Sequence, residues 1–202
     1  FKILNIKGEV AYLKGVQVRL YADAPLEVLE LYIEEDRAID EDEVLIDEDL
    51  TRGDFFYLPG KVLHIDADGD YLERCMKFYK KNRVMAVGKK IEESEVPKRI
   101  KSLLLDYQPD IVIITGHDAY YPKKGGIGDI KNYRNTEYFV KAVKEARKVE
   151  KSHEKLVIIA GACQSNYEEL ICAGANFASS PKGINIHALD PAIIATVLAM
   201  SE

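Results

Sequence analysis

A three-layer α/β sandwich on a parallel sheet, preceded by a small β-barrel-like domain, is the architecture the sequence predicts. Three observations predict it. Two uninterrupted apolar runs, Asp110–Thr115 (DIVIIT) and Lys155–Ala160 (KLVIIA), read as strands covered on both faces. Segments with apolar residues at helical spacing lie between such runs, in the βαβα rhythm of parallel sheets. Before residue 58 the pattern changes to a period of two, as half-buried strands show.

The elements follow in order. In residues 1–58, Val16, Val18 and Leu20 alternate with Gln17, Arg19 and Tyr21, and Gly8 and Gly15 punctuate the strands as hairpin turns do. Ala24-Pro25 breaks the run. The acidic stretch Glu34–Asp49 has little apolar content and reads as a solvated loop with one short strand at Val44–Ile46. Phe55–Leu58 leads into Pro59-Gly60, a turn signal and the expected domain boundary. The sandwich takes residues 61–202. Lys61–Ile65 is its first strand, and Asp70–Asn82 is a helix with Leu72, Met76 and Tyr79 on one face. Val84–Val87 is the second strand, and Glu95–Tyr107 a helix carrying Ile100, Leu103 and Leu104. After DIVIIT comes a helix over Asn135–Glu150, with Phe139, Val143 and Ala146 at helical spacing. After KLVIIA comes a helix over Tyr167–Ala173, ended by Gly174. Short strands at Ala178–Ser179 and Ile184–His187 precede a closing helix over Asp190–Met200, with Pro191 in its first turn.

Composition excludes several functions. With 202 residues, 47% hydrophobic and 31% charged, the chain can bury one sizeable core plus a small module. A net charge of −6 without a basic stripe argues against a nucleic-acid partner. No apolar run approaches a membrane span, so no membrane partner is expected. Cys75, Cys163 and Cys172 are too few for a disulfide framework and form no CxxC pair, so a reducing compartment and no zinc site are expected. The GGIG of residues 125–128 lacks the strand–helix context of a phosphate loop, and no cofactor is expected. The opening FKILNIKGEV has no initiator Met and no signal-peptide architecture, so a truncated or processed piece is expected.

Ligands of open parallel sheets bind beyond the carboxyl ends of the strands. Three such ends carry polar residues here: Asp66-Ala67-Asp68-Gly69-Asp70, Gly116-His117-Asp118 and Gly161-Ala162-Cys163-Gln164-Ser165. His117 and Cys163 are the sharpest pair. Each follows a buried strand directly, and one helical crossover separates them. A thiol needs activation near neutrality, and an adjacent imidazole can take its proton. A strand-to-helix turn also aims backbone N–H groups at a developing oxyanion. The competing reading makes Cys163 an inert packing residue and His117 a backbone cap. Cys75, inside a helix on an apolar face, and Cys172, late in a helix, read as packing. His64 and His153 read as structural or solvated, and His187 is the reserve candidate for the base.

The strand ends IVIITGHD and LVIIAGACQS resemble the caspase-type layout, in which a strand ending in His precedes one ending in Ala-Cys. Caspase-like peptidases carry Gly after the His, whereas here Gly116 precedes it and Asp118 follows. A fuller resemblance covers nearly the whole chain. KGVQVRLYADAPL, VLHIDADGDYLERC, PDIVIITGHDAYY, NYRNTEYFVKAVKEAR and LVIIAGACQSNYEELICAGANFASSPKGINIHALDP, in that order, are similar to the YabG-type sporulation peptidases. The resemblance implies a caspase-like or flavodoxin-like sandwich behind a small N-terminal domain. It also implies a cysteine endopeptidase acting on spore coat and germination proteins, in the mother-cell cytoplasm of a sporulating bacterium or on the spore coat. The family's catalytic His lies in TGHDA and its Cys in GACQS, which map onto His117 and Cys163.

On this reading an N–H at Gly116 or Asp118, beside that of Cys163, holds the oxyanion. Clostripain-like relatives prefer Arg before the scissile bond, and Asp66 and Asp68, with Asp118 behind them, are the candidate acids of that pocket. Strand-end carboxylates that merely cap the following helix are the competing reading. Arg37 and Arg52 in the acidic loop are conceivable self-cleavage sites, and Tyr120–Asn135 is a candidate lid. Two other classes remain open: a receiver- or flavodoxin-like binding module with an unreactive Cys163, and an amidotransferase-like hydrolase of small amides.

Overall fold

The computed structural model describes residues 1–16, 20–30, 58–179 and 186–201. Residues 17–19, the acidic stretch with its Val44–Ile46 strand, Arg37, Arg52, Phe55–Tyr57 and the first half of the Ile184–His187 strand lie outside them. The chain divides into two compact units, Phe1–Tyr57 and Leu58–Glu202.

The first unit is antiparallel. Strands β1 (Lys2–Lys7), β2 (Val10–Lys14) and β3 (Tyr21–Pro25) pair in the order β1-β2-β3, with Gly8 at the first hairpin turn. β2 supplies the buried apolar residues Ala11 and Leu13 and the buried Lys14, while every residue of β1 is exposed.

The second unit is the expected sandwich. Strands β4 (Val62–Asp66), β5 (Ala86–Lys90), β6 (Ile111–Thr115), β7 (Val157–Ala160) and β8 (Phe177–Ala178) form one parallel sheet in the order β5-β4-β6-β7-β8. This is the flavodoxin-like order, whose topological switch point falls between the first and third strands. Here that crevice opens between β4 and β6.

The apolar runs alternate between two cores. Leu63, Ile65, Val112, Ile114 and Ile158 pack on helices α2 (Val96–Tyr107) and α3 (Thr136–Val149), joined by Leu170 of α4 (Tyr167–Cys172). Val62, Ile111, Ile113 and Ile159 face α1 (Gly69–Lys81) and α5 (Asp190–Met200), which contribute Phe78, Tyr79, Ala192 and Ala195. Two covered faces are why these strands read as continuous apolar runs. Pro97 and Pro191 stand in the first turns of α2 and α5, where a missing N–H costs nothing.

The second strand begins later than expected. Arg83 takes a left-handed φ of 58° and the Val84 N–H closes onto the Tyr79 carbonyl, so Val84 finishes α1 and pairing starts at Ala86. Cys172 also departs from expectation: it is exposed rather than packed. Cys75 is core as expected, its thiol donating to the Ala188 carbonyl at 3.4 Å.

Arg147, near the end of α3, clamps the far side of the sheet. Its guanidinium donates to the Gly174 carbonyl at 2.8 Å, to the Leu156 carbonyl at 2.8 Å and to Asn176 Oδ1 at 2.5 Å. Asn176 Oδ1 in turn accepts the Ile158 N–H. The clamp therefore fixes where β7 starts and where β8 lies beside it. Arg147→Ala leaves these acceptors unpaired and is expected to cost about 3 kcal/mol. A lowered urea midpoint at unchanged slope checks this. Arg147→Lys is expected to recover little, because one ammonium cannot span the three directions.

Candidate active site

The carboxyl ends of β4, β6 and β7 open at one edge, and each carries the polar residues expected there. The β7 end is a tight turn. Gly161 takes φ 101°, and a Cβ there would stand 2.7 Å from Leu170 Cδ1, so the close approach of α4 admits only glycine. The Ser165 N–H closes onto the Ala162 carbonyl at 3.2 Å, and Gln164 takes φ 63°. Cys163 thus occupies the second position of a turn whose third residue is left-handed, the type II pattern. Holding a non-glycine residue there costs about 1 kcal/mol. Cys163 is buried, 4% exposed, yet belongs to neither apolar core cluster. Its Sγ accepts the Ile186 N–H at 3.3 Å, from the chain leading into α5.

The β6 end is laced to that turn. The Asp118 carboxylate accepts from the Asn135 N–H at 2.8 Å, the Ala119 N–H at 2.9 Å, the Ser165 hydroxyl at 2.8 Å and the Thr136 hydroxyl. Ser165 Oγ also accepts the Ala162 N–H at 2.9 Å. Gln164 Oε1 accepts the Tyr120 N–H at 3.2 Å. The residues just after His117 are therefore bonded to those just after Cys163, which brings the two strand ends together. Burial pushes the Asp118 carboxyl above its ordinary range, against the opposing pull of the Thr136, Asn135 and Ser165 donors.

His117 lies at the switch-point crevice. Its Nε2 is 3.6 Å from Asp68 Oδ2 and its Nδ1 3.8 Å from Glu93 Oε1. The Tyr71 ring packs 6.0 Å away. Asn135 Nδ2 donates to the His117 carbonyl at 2.7 Å. Asp68 also caps α1, its Oδ1 accepting from the Asp70 and Tyr71 N–H groups at 2.9 and 3.3 Å. Asp66 is fully buried, and its Oδ1 accepts the Asp68 N–H at 2.8 Å. Asp68 and His117 thus meet, with Asp66 next to His64 Nε2 at 3.9 Å, and both carboxylates also hold the local backbone.

Glu93 is the residue sequence reasoning missed. It follows β5 in the segment Ile91-Glu92-Glu93-Ser94-Glu95, where nothing in the sequence separates it from its neighbouring glutamates. Its carboxylate accepts the His117 N–H at 2.8 Å. A Cβ on Gly116 would lie 2.5 Å from the same oxygen, so that glycine makes room for it. Burial pushes the Glu93 carboxyl up, and the charges of Glu92 and Asp66 add to that, against the hydrogen bond from His117.

His187 stands one residue beyond Ile186. Its Nδ1 accepts the Leu189 N–H at 3.2 Å, and its own N–H donates to Asp190 Oδ2 at 2.8 Å. His64 is buried with Nδ1 2.9 Å from the Tyr79 hydroxyl, a structural placement as expected. The loop over Tyr120–Asn135 folds back on itself through a Tyr120–Tyr133 bridge, and Asn166 Nδ2 ties it to the start of α4 by donating to the Ile127 carbonyl. Among the described residues, no group of three or more His, Cys, Asp or Glu could hold a metal ion, and no helix is long and apolar enough to cross a membrane.

Comparison with known proteins follows the same residues. The sporulation-specific protease YabG of Bacillus subtilis (strain 168) is 50% identical over 147 residues, which are 73% of this chain and 51% of that protein. The chain thus spans about half the length of the curated relative it matches. Among solved structures, a pilus assembly-related protein of Burkholderia pseudomallei is 15% identical, covering 74% of this chain and 98% of its own, with a TM-score of 0.44. The Mg²⁺ complex of the receiver domain of the Arabidopsis thaliana histidine kinase CKI1 is 20% identical, covering 60% and 83%, with a TM-score of 0.40. Neither likeness bears on function. The family description YabG peptidase U57 matches residues 43–202, and the chain belongs to that family.

Proposed function

We propose that this chain is the peptidase region of a sporulation-associated cysteine endopeptidase, with Cys163 as nucleophile and His117 as its acid–base partner. The observation that supports the reading is the lacing of the two strand ends, in which Asp118, next to His117, bonds Ser165, and Gln164, next to Cys163, accepts the Tyr120 N–H. The thiolate attacks the peptide carbonyl, the carbon–nitrogen bond breaks, and the imidazolium gives its proton to the departing amine. Water then hydrolyses the acyl-enzyme, with His117 as base. The Ile186 N–H on the sulfur favours the thiolate. The N–H groups of Gly116, Asp118 and Cys163 are the oxyanion donors on this reading.

The substrates on this reading are spore coat and germination proteins, cleaved after basic residues in the mother cell. The acids behind that preference on this reading are Asp66 and Asp68: the Asp68 carboxylate stands 3.6 Å from His117 Nε2, and the fully buried Asp66 accepts the Asp68 N–H. Self-cleavage at Arg37 or Arg52 would follow from the same preference.

A peptide set varied at the residue before the scissile bond tests the specificity. Arg and Lys peptides are expected to be cut at least about tenfold faster than Leu or Phe peptides, since one charge pair is worth about 1–2 kcal/mol. An apolar preference removes Asp66 and Asp68 from the pocket. Cleavage of glutamine amide but not of peptides would favour a small-amide hydrolase instead.

A further inference from the structure

The proposed dyad uses His117 but leaves unexplained the buried carboxylate beside it. Glu93 is 8% exposed, comes from the far side of β4, and makes two approaches to one residue. Oε1 accepts the His117 backbone N–H at 2.8 Å and stands 3.8 Å from ring Nδ1. Gly116 is what permits this, since any Cβ there would collide with Oε1 at 2.5 Å. A backbone N–H at a strand end can be satisfied by water or by a neutral acceptor. A buried carboxylate in that place is a costly choice unless its charge is used.

We propose that Glu93 is a positioning residue for His117, fixing the β6 end through the backbone N–H and complementing the charge of the imidazolium through Nδ1. The inference rests on the Cys163–His117 reading. In effect it makes the centre a Cys–His–Glu arrangement, with the carboxylate supplied by the loop after the outer strand rather than by a strand next to the sulfur. The groups that bear on Glu93 and His117 include Asp66 and Asp68 from β4 and its loop, Tyr71 from α1 and the charge of Glu92 on the same segment. Glu93 contacts His117 at both backbone and ring.

Burial raises the Glu93 carboxyl above 4.5, so the native state holds its proton to higher pH than the unfolded chain does. Stability from this group is complete below 4.5 and is lost as pH rises through the raised value. At working pH the charge therefore weakens the fold while serving the site. A purely structural acceptor would show the opposite balance.

The test is Glu93→Gln in the full chain, read as kcat, KM, the acid limb of the rate profile and the melting temperature at pH 8. Gln keeps an acceptor for the His117 N–H and removes the charge. The expected result is a fall in kcat of about 10²-fold with KM little changed, a displaced or flattened acid limb, and a melting temperature at or above wild type. A variant with wild-type kcat and an unchanged acid limb overturns the proposal. Should Glu93→Gln fail to fold, Gly116→Ala keeps the carboxylate but pushes it off the N–H, and is expected to lose kcat similarly; wild-type kcat there overturns the proposal. Cys163→Ala and His117→Ala run beside them. Residual wild-type activity in either removes the dyad itself, whereas inactive dyad variants with a fully active Glu93→Gln remove only the role of Glu93.

Discussion

Replacing Cys163 with alanine is expected to lower kcat/KM for peptide cleavage by at least about 10³-fold while leaving the fold intact. Loss of a nucleophile in a cooperating set removes nearly all of its chemical contribution. The fold should tolerate the change because Cys163 lies outside both apolar cores. Alanine deletes one atom, at a cost of about 1 kcal/mol. The Ile186 N–H that now meets the sulfur then needs water. Circular dichroism and a melting curve within a few degrees of wild type, together with no product by mass spectrometry, is the expected pair of results. A folded alanine variant that still cleaves would return Cys163 to the packing role and transfer attention to a non-thiol chemistry.

Asp118→Ala is expected to be the most damaging polar substitution, costing about 4 kcal/mol and abolishing activity with it. Four donors converge on this carboxylate, from Ala119, Asn135, Thr136 and Ser165. Alanine strands all four in a part-buried site, and such orphaned groups carry most of the penalty. Asp118→Asn should be milder, because the Thr136 and Ser165 hydroxyls can rotate to accept from an amide. The two variants also separate in their dependence on pH. Burial holds the Asp118 carboxyl above 3.8, so its contribution to stability is complete below that value and falls as pH rises through the raised one. The asparagine variant should lack that decline. Urea midpoints measured from pH 4 upward check both statements. An alanine variant within 1 kcal/mol of wild type, on the scale of ordinary surface changes, would mean the lacing is not what joins the strand ends.

Much of the second unit was legible because burial on both faces leaves a plain signature. The shortness and the Ile and Val content of DIVIIT and KLVIIA pointed to strands, and Ile100, Leu103 and Leu104 or Phe139, Val143 and Ala146 marked which helix faces turn inward. The strand ends were legible for the same reason, since polar residues follow each run directly. What failed did so locally. Val84 looked like a strand residue, but the turn at Arg83 gives its N–H to α1. Cys172 looked like packing, but it faces outward on a short helix. Asp66 and Asp68 were read both as pocket acids and as backbone caps, and Asp68 does cap α1 while also meeting His117. The site's supporting contacts were not legible at all. Asp118 to Ser165 spans 47 positions and Glu93 to His117 spans 24, and only folding defines such pairs.

The order of the strands along the chain has a consequence for biogenesis. Within the second unit a ribosome delivers β4, β5 and β6 first, with the acids and His117 at their ends. The strand after which the sulfur lies comes later, and the Ile186 amide that meets the sulfur comes just before α5, which packs in the second core. Domains generally form as units once enough chain has emerged. On the proposed Cys163–His117 reading, a nascent fragment stopping short of residue 186 holds the thiol without that amide partner.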